Sequence, residues 1–235
     1  TDKLGTNDAT DDSATVDMAF LGADTYVTVA GSNLAGGAVD VLTLNNMADG
    51  STVNIAGQGS ITVAVKGAAL NQANTLNIGM SSDGPTTGGT LTAANVETVS
   101  ISVNDVFVDA NLDGLDDANA ADTLTLAATS ATTINVTGSA DLNLTNTGNT
   151  SVISIDATSM TGKLTVISAN TATSATIKGG SGADTLTGAG VSDVINGGGG
   201  ADTLTAGGTL ATLIGGAGND TFVMNTATNK NTYAT

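Results

Sequence analysis

Asp184, Asp202 and Asp220 are the residues whose type and spacing most directly suggest chemistry. They recur at intervals of eighteen in closely similar surroundings, GADTLT, GADTLT and GNDTFV. Carboxylates that repeat at the period of a coil must stack. Successive coils of a parallel ladder lie about 4.8 Å apart. Two bare carboxylates near that separation repel by roughly 3 kcal/mol at an effective dielectric of ~20. A cation shared between coils turns that repulsion into attraction, and all-oxygen surroundings suit Ca2+ rather than zinc or iron.

The elements that must position these aspartates are nine residues long. From Gly179 the chain divides without insertion into GGSGADTLT (179–187), GAGVSDVIN (188–196), GGGGADTLT (197–205), AGGTLATLI (206–214) and GGAGNDTFV (215–223). The eighth position is always apolar: Leu186, Ile195, Leu204, Leu213 and Phe222. Its neighbours are mostly Thr, Val or Asn, so each block ends in a short strand with one inward residue. The glycine-rich first half supplies the turn. Two nines make one coil of eighteen, which places blocks one, three and five on one edge and blocks two and four on the other.

This pattern resembles the RTX repeat G-G-x-G-x-D-x-U-x, a calcium-binding parallel β-roll motif. The resemblance implies two calcium ions on the edge of blocks one, three and five, between 179–184 and 197–202 and between 197–202 and 215–220. Its implied ligands are the carboxylates of Asp184, Asp202 and Asp220 with turn backbone at Gly179, Ser181, Gly182, Gly197, Gly199, Gly200, Gly215, Ala217 and Gly218. The other edge departs from the motif: block two keeps Asp193 but lacks two glycines, and block four has Ala211 in place of Asp.

Residues 1–178 read as a Thr/Ala-rich region and 179–235 as the RTX β-roll with a short tail. Upstream, alternating segments recur: YVTVA (26–30), VLTL (41–44), TVNI (52–55), ITVAV (61–65), TLNI (75–78), TVSISV (98–103), TLTL (123–126), TINV (133–136), LNL (142–144), VISI (152–155), KLTV (163–166) and ATI (175–177). Regular short strands suit either a sandwich or a solenoid. Scarce hairpin dipeptides, outward Thr, Ser and Asn, and a spacing that merges with the nonapeptides favour an all-β parallel β-helix, or β-solenoid, continuing into the roll.

A second candidate metal site is DANLDGLDD (109–117). Asp109, Asn111 and Asp113 alternate before Gly114, like the start of an EF-hand loop. The twelfth position is Ala120 rather than Glu, leaving Asp116 or Asp117 to substitute; a solvated acidic loop is the other reading. Asp24, Asp40 and Asp122 each open a strand segment, either as hydrogen-bonded turn residues, the favoured reading, or as edge ligands. Asp8, Asp11 and Asp12 read as a solvated run.

Composition removes whole classes of function. The chain carries 22 acidic and 5 basic residues, a formal charge of −17, and neither His nor Cys. It therefore has no cationic patch for nucleic acid or anionic membranes. It has no Ser–His–Asp or Cys–His machinery and no common zinc site. Aromatic residues make up 2% of the chain, so sugar-stacking platforms are scarce too. No apolar run approaches the length of a membrane helix. A catalytic role is not expected, and the chain reads as a segment of something larger.

The Thr/Ala/Gly-rich composition running into terminal RTX blocks, together with TAANVETVSI (92–101), resembles the lattice-forming region of Gram-negative RTX surface-layer proteins. That resemblance implies type I secretion, folding driven by extracellular calcium and self-assembly into a two-dimensional lattice. It also implies attachment to cell-surface polysaccharide through regions outside this chain. The alternatives are an RTX adhesin or ice-binding repeat region, with Thr185/Thr187 and Thr203/Thr205 as stacked pairs, and the non-catalytic carrier domain of a secreted enzyme.

Overall fold

A computed structural model describes residues 13–20, 22, 26–29, 41–57, 59–68, 73–82, 87–105, 120–146, 148–224 and 232–234. In these, alternation of apolar with small polar residues produces strands of three to eight residues. The upstream strands are β1 (Ser13–Asp17), β2 (Tyr26–Val29), β3 (Val41–Met47), β4 (Thr52–Ile55), β5 (Ser60–Val65), β6 (Thr75–Ser82) and β7 (Thr87–Ala94). They continue as β8 (Thr98–Asp105), β9 (Asp122–Ala127), β10 (Thr133–Gly138), β11 (Leu142–Thr145), β12 (Ser154–Met160), β13 (Leu164–Ile167) and β14 (Thr176–Lys178). The nonapeptides contribute β15 (Thr185–Thr187), β16 (Val194–Gly199), β17 (Thr203–Ala206), β18 (Thr212–Ala217) and β19 (Thr221–Met224), followed by β20 (Thr232–Ala234).

The odd-numbered strands form one ten-stranded sheet in chain order and the even-numbered strands form another. The pairings are parallel. Consecutive strands therefore never pair; the chain crosses to the opposite sheet at each turn and winds as a solenoid. A hairpin-built sandwich needs antiparallel neighbours, so the solenoid is the architecture. In the repeats the coil is eighteen residues: Leu186 pairs with Leu204 and Leu204 with Phe222, while on the other sheet Ile195 pairs with Leu213.

Between the sheets lies a continuous aliphatic core. The upstream strands from β4 to β13 bury two or three side chains each, such as Val99, Ile101 and Val103 on β8 or Leu76, Ile78 and Met80 on β6. The repeat strands β15, β16 and β18 bury one large side chain each: Leu186, Ile195 and Leu213. A buried aliphatic side chain contributes roughly 1.5–3 kcal/mol. The core therefore supports each coil less where the chain tightens into nines, and the turns there must supply more.

The sequence segments lie in strands with small shifts of boundary, and four details differ. Val152 of VISI is buried in a turn, its amide bonded to the Asn149 carbonyl, and β12 starts only at Ser154. β1, β7 and β20 were not anticipated. β7 is broken in pattern by Gly88 and Gly89, and its register against β9 shifts between Thr87 and Thr90.

Candidate metal centre

The turns 179–184, 197–202 and 215–220 each lead from the even sheet to the odd sheet, so they stack on one edge of the solenoid. Each aspartate reaches back one coil. The Leu164 amide donates to Asp184 Oδ1 (2.6 Å), the Asp184 amide to Asp202 Oδ1 (2.8 Å), and the Asp202 amide to Asp220 Oδ1 (3.0 Å). The three carboxylates therefore stand in one column, Asp184 and Asp202 at 1% exposure and Asp220 partly exposed.

That column is electrostatically costly without a counter-charge. Burial pushes the Asp184 carboxyl up to about 6; amides of Leu164 and Gly180 pull against this, and the charges of Asp202 and Asp141 add to it. Burial also raises Asp202, with the charge of Asp220 adding to it. Among the described residues the recorded ion pair, Lys178 with Asp156 at 3.3 Å, lies on the outer face of the even sheet and leaves these turns uncompensated.

The backbone around Asp202 is arranged around oxygen. Gly198 and Gly200 have φ of 99° and 107°, and their equivalents Gly216 and Gly218 have 96° and 131°. Only glycine adopts such angles freely. A Cβ on Gly200 would also collide with the carbonyl of Gly182 one coil below. Asp202 Oδ2 and the Gly215 carbonyl oxygen both lie under 3.0 Å from the point where a Cβ on Gly197 would sit. Asp202 Oδ2 is buried and has no hydrogen-bond partner. A buried anionic oxygen with no donor, beside a carbonyl oxygen, fits a hard cation. No three acidic side chains converge among the described residues, so carbonyls must complete any ligand set.

The sequence matches the family model of the RTX calcium-binding nonapeptide repeat in four copies, over residues 178–209 and 212–223. The chain carries an RTX array. RTX repeats bind Ca2+, RTX repeat proteins are typically secreted, and their rolls are generally non-catalytic structural regions. No curated protein matches the chain. Among the described residues no helix is long and apolar enough to cross a membrane.

On the other edge of the repeats the aspartate is satisfied by backbone amides. Asp193, also 1% exposed, accepts from the amide of Ala175 at Oδ1 (2.8 Å) and from those of Ala189 and Gly190 at Oδ2 (2.9 and 2.8 Å). Both oxygens are satisfied, and the next coil presents Ala211 rather than a second carboxylate. Asp193 is a turn lock.

The remaining site residues sit in the stacked RTX turns, tied by coil-to-coil backbone bonds. The Gly199 amide donates to the Gly180 carbonyl (2.9 Å), the Gly200 amide to the Ala217 carbonyl (2.8 Å), and the Ser181 amide to the Met160 carbonyl (3.0 Å). Asp109, Asn111, Asp113 and Asp117 lie outside the described residues, as do Asp24 and Asp40. Asp122 shares the column of Asp184, but Leu142 and Leu164 stand between them, so it stacks on neither Asp184 nor its partners.

Two sets of residues escaped sequence reasoning. Asp141 caps the Lys163 amide across one coil (2.7 Å) and adds negative charge to the same edge; the segment ADLNL, echoing ADTLT, was the available signal. On the other edge Asn149 and Asn170 are buried and bond to backbone of the preceding coil at Leu126 and Val152. Nothing in their sequence context distinguishes them from surface asparagines.

Proposed function

We propose that this chain is a calcium-stapled structural solenoid of a bacterial surface layer, assembling into a two-dimensional lattice at the cell surface. One ion lies between turns 179–184 and 197–202 and a second between 197–202 and 215–220. The observation that carries the calcium reading is the orphaned Asp202 Oδ2, buried within a column of carboxylates. Low cytosolic calcium leaves that column repulsive and the repeats unfolded for export; millimolar external calcium drives folding by mass action.

The lattice reading is supported by the form of the molecule. Strands of residues 1–178 pair directly with RTX strands, β13 with β15 and β14 with β16, giving long sheets with small polar outer faces. The motif TAANVETVSI contributes to that continuity: Val96 is buried, and the Glu97 carboxylate accepts the Asn74 amide of the preceding coil (2.9 Å). Electron microscopy of the purified chain tests this reading. Ordered sheets with calcium that disperse in chelator are expected; monodisperse particles in both conditions contradict it.

A second reading, an ice-binding or adhesive face, is favoured by one observation. Thr165, Thr185, Thr203 and Thr221 are in register on the outer face of the odd sheet. The companion column is interrupted, with Ile167 and Val223 flanking Thr187 and Thr205, which weakens it as a water-ordering surface. Thermal hysteresis activity would favour this second reading.

A further inference from the structure

The three stacked turns are not alike. Gly198 and Gly200 share positive φ with Gly216 and Gly218, so turns 197–202 and 215–220 have one conformation. Gly180 and Gly182 lie outside that region. The consequence falls on the carboxylates. In turn 179–184 the Gly180 amide points inward and donates to Asp184 Oδ2 (2.8 Å). In turn 197–202 no amide reaches Asp202 Oδ2. The closed arrangement at Asp184 is the one found on the opposite edge, where the Ala189 amide, likewise four residues back, donates to Asp193 Oδ2.

We infer that the array holds two unequal calcium sites, filled in order: first between turns 197–202 and 215–220, then between 179–184 and 197–202. This rests on the calcium reading above and goes beyond it. At the first site the free Asp202 Oδ2 and the Gly215 carbonyl already face a common point. At the second, Asp184 Oδ2 and the Gly197 carbonyl are comparably placed about Gly179, but that carboxylate oxygen is occupied by an N–H. A cation there must displace the Gly180 amide, which requires reorienting the peptide that carries it. Losing one amide bond to a carboxylate weakens the second step by about tenfold, or about 1.4 kcal/mol. Coil 179–187 is thereby joined to the upstream solenoid without a metal, through the Leu164 amide on Asp184, the Ser181 amide on the Met160 carbonyl and the β13–β15 ladder, while the Gly180 amide closes its own turn; it offers the metal-dependent coils a preformed rung.

Calorimetric titration of the metal-free full chain with calcium chloride tests the order. Two steps about tenfold or more apart are expected, with the stronger one kept in Asp184→Asn and lost in Asp220→Asn. Because Asp220→Asn can also unfold the last coil, the wild-type chain provides a second readout. The Gly180 amide resonance should stay fixed through the first equivalent of calcium and shift only with the second. Two equal steps, or a Gly180 shift during the first, overturn the inequality and leave the calcium reading standing. Absence of any binding at millimolar calcium removes both.

Discussion

The Asp184 amide donates to Asp202 Oδ1 across one coil, at 2.8 Å, while Asp202 Oδ2 is left buried and unpartnered. One side chain thus binds a neighbouring coil by an ordinary hydrogen bond and presents a charge that no protein group satisfies. Asp202 also belongs to both pairs of stacked turns. Asp202→Ala is therefore expected to abolish the calcium-dependent gain of β structure. Asp193→Ala should keep that gain and lower stability by about 1–3 kcal/mol, because it strands three amides. Far-UV circular dichroism during calcium titration distinguishes them; equal effects contradict the one-edge arrangement.

The raised carboxyl of Asp184, at about 6 against 3.8, sets the pH response. Between those values the metal-free fold binds more protons than the unfolded chain, so its stability is greatest at low pH and falls as pH rises through about 6. In chelator the urea midpoint should drop from pH 4 to pH 7. With saturating calcium the trend should reverse, since protons compete with the ion for the same oxygens. A chelator profile that rises with pH contradicts the assignment.

Glycine positions in one turn should differ sharply. Gly200→Ala forces a side chain into φ 107° and onto the Gly182 carbonyl, and is expected to cost more than about 2 kcal/mol. Gly199→Ala meets nothing nearer than the Ser181 Cα at 3.7 Å and should stay within about 0.5 kcal/mol. Denaturant midpoints in calcium measure both.

Thinning of the core makes the repeats sensitive to single aliphatic side chains. Leu204→Ala should cost about 2–5 kcal/mol and be partly rescued by raised calcium, since Leu204 is fully buried between Leu186 and Phe222. Val136→Ala, in an upstream coil, should be insensitive to calcium. Thermal melts across a calcium series check the contrast.

The nonapeptide register was fully legible because Leu186, Ile195, Leu204, Leu213 and Phe222 repeat in phase with the glycines, and phase is what a solenoid records. β7 was not legible: a bulge at Gly88 and Gly89 breaks the alternation that periodicity detects. The column of Asp184, Asp202 and Asp220 followed from spacing, whereas their inequality did not. GGSGAD and GGGGAD fit the same motif, and the difference lies in backbone angles at Gly180 and Gly198 that two glycines leave open. Asp141 was hidden for a similar reason, being one residue out of register with Asp184 across coils of unequal length.

Amide hydrogen exchange on the full chain, in calcium and then in chelator, tests most directly whether a divalent ion holds the last coils together. Amides of residues 197–224 should be protected with calcium and exchange freely without it, while those of β8 to β13 remain protected in both. Undiminished protection of 197–224 in chelator would contradict the account.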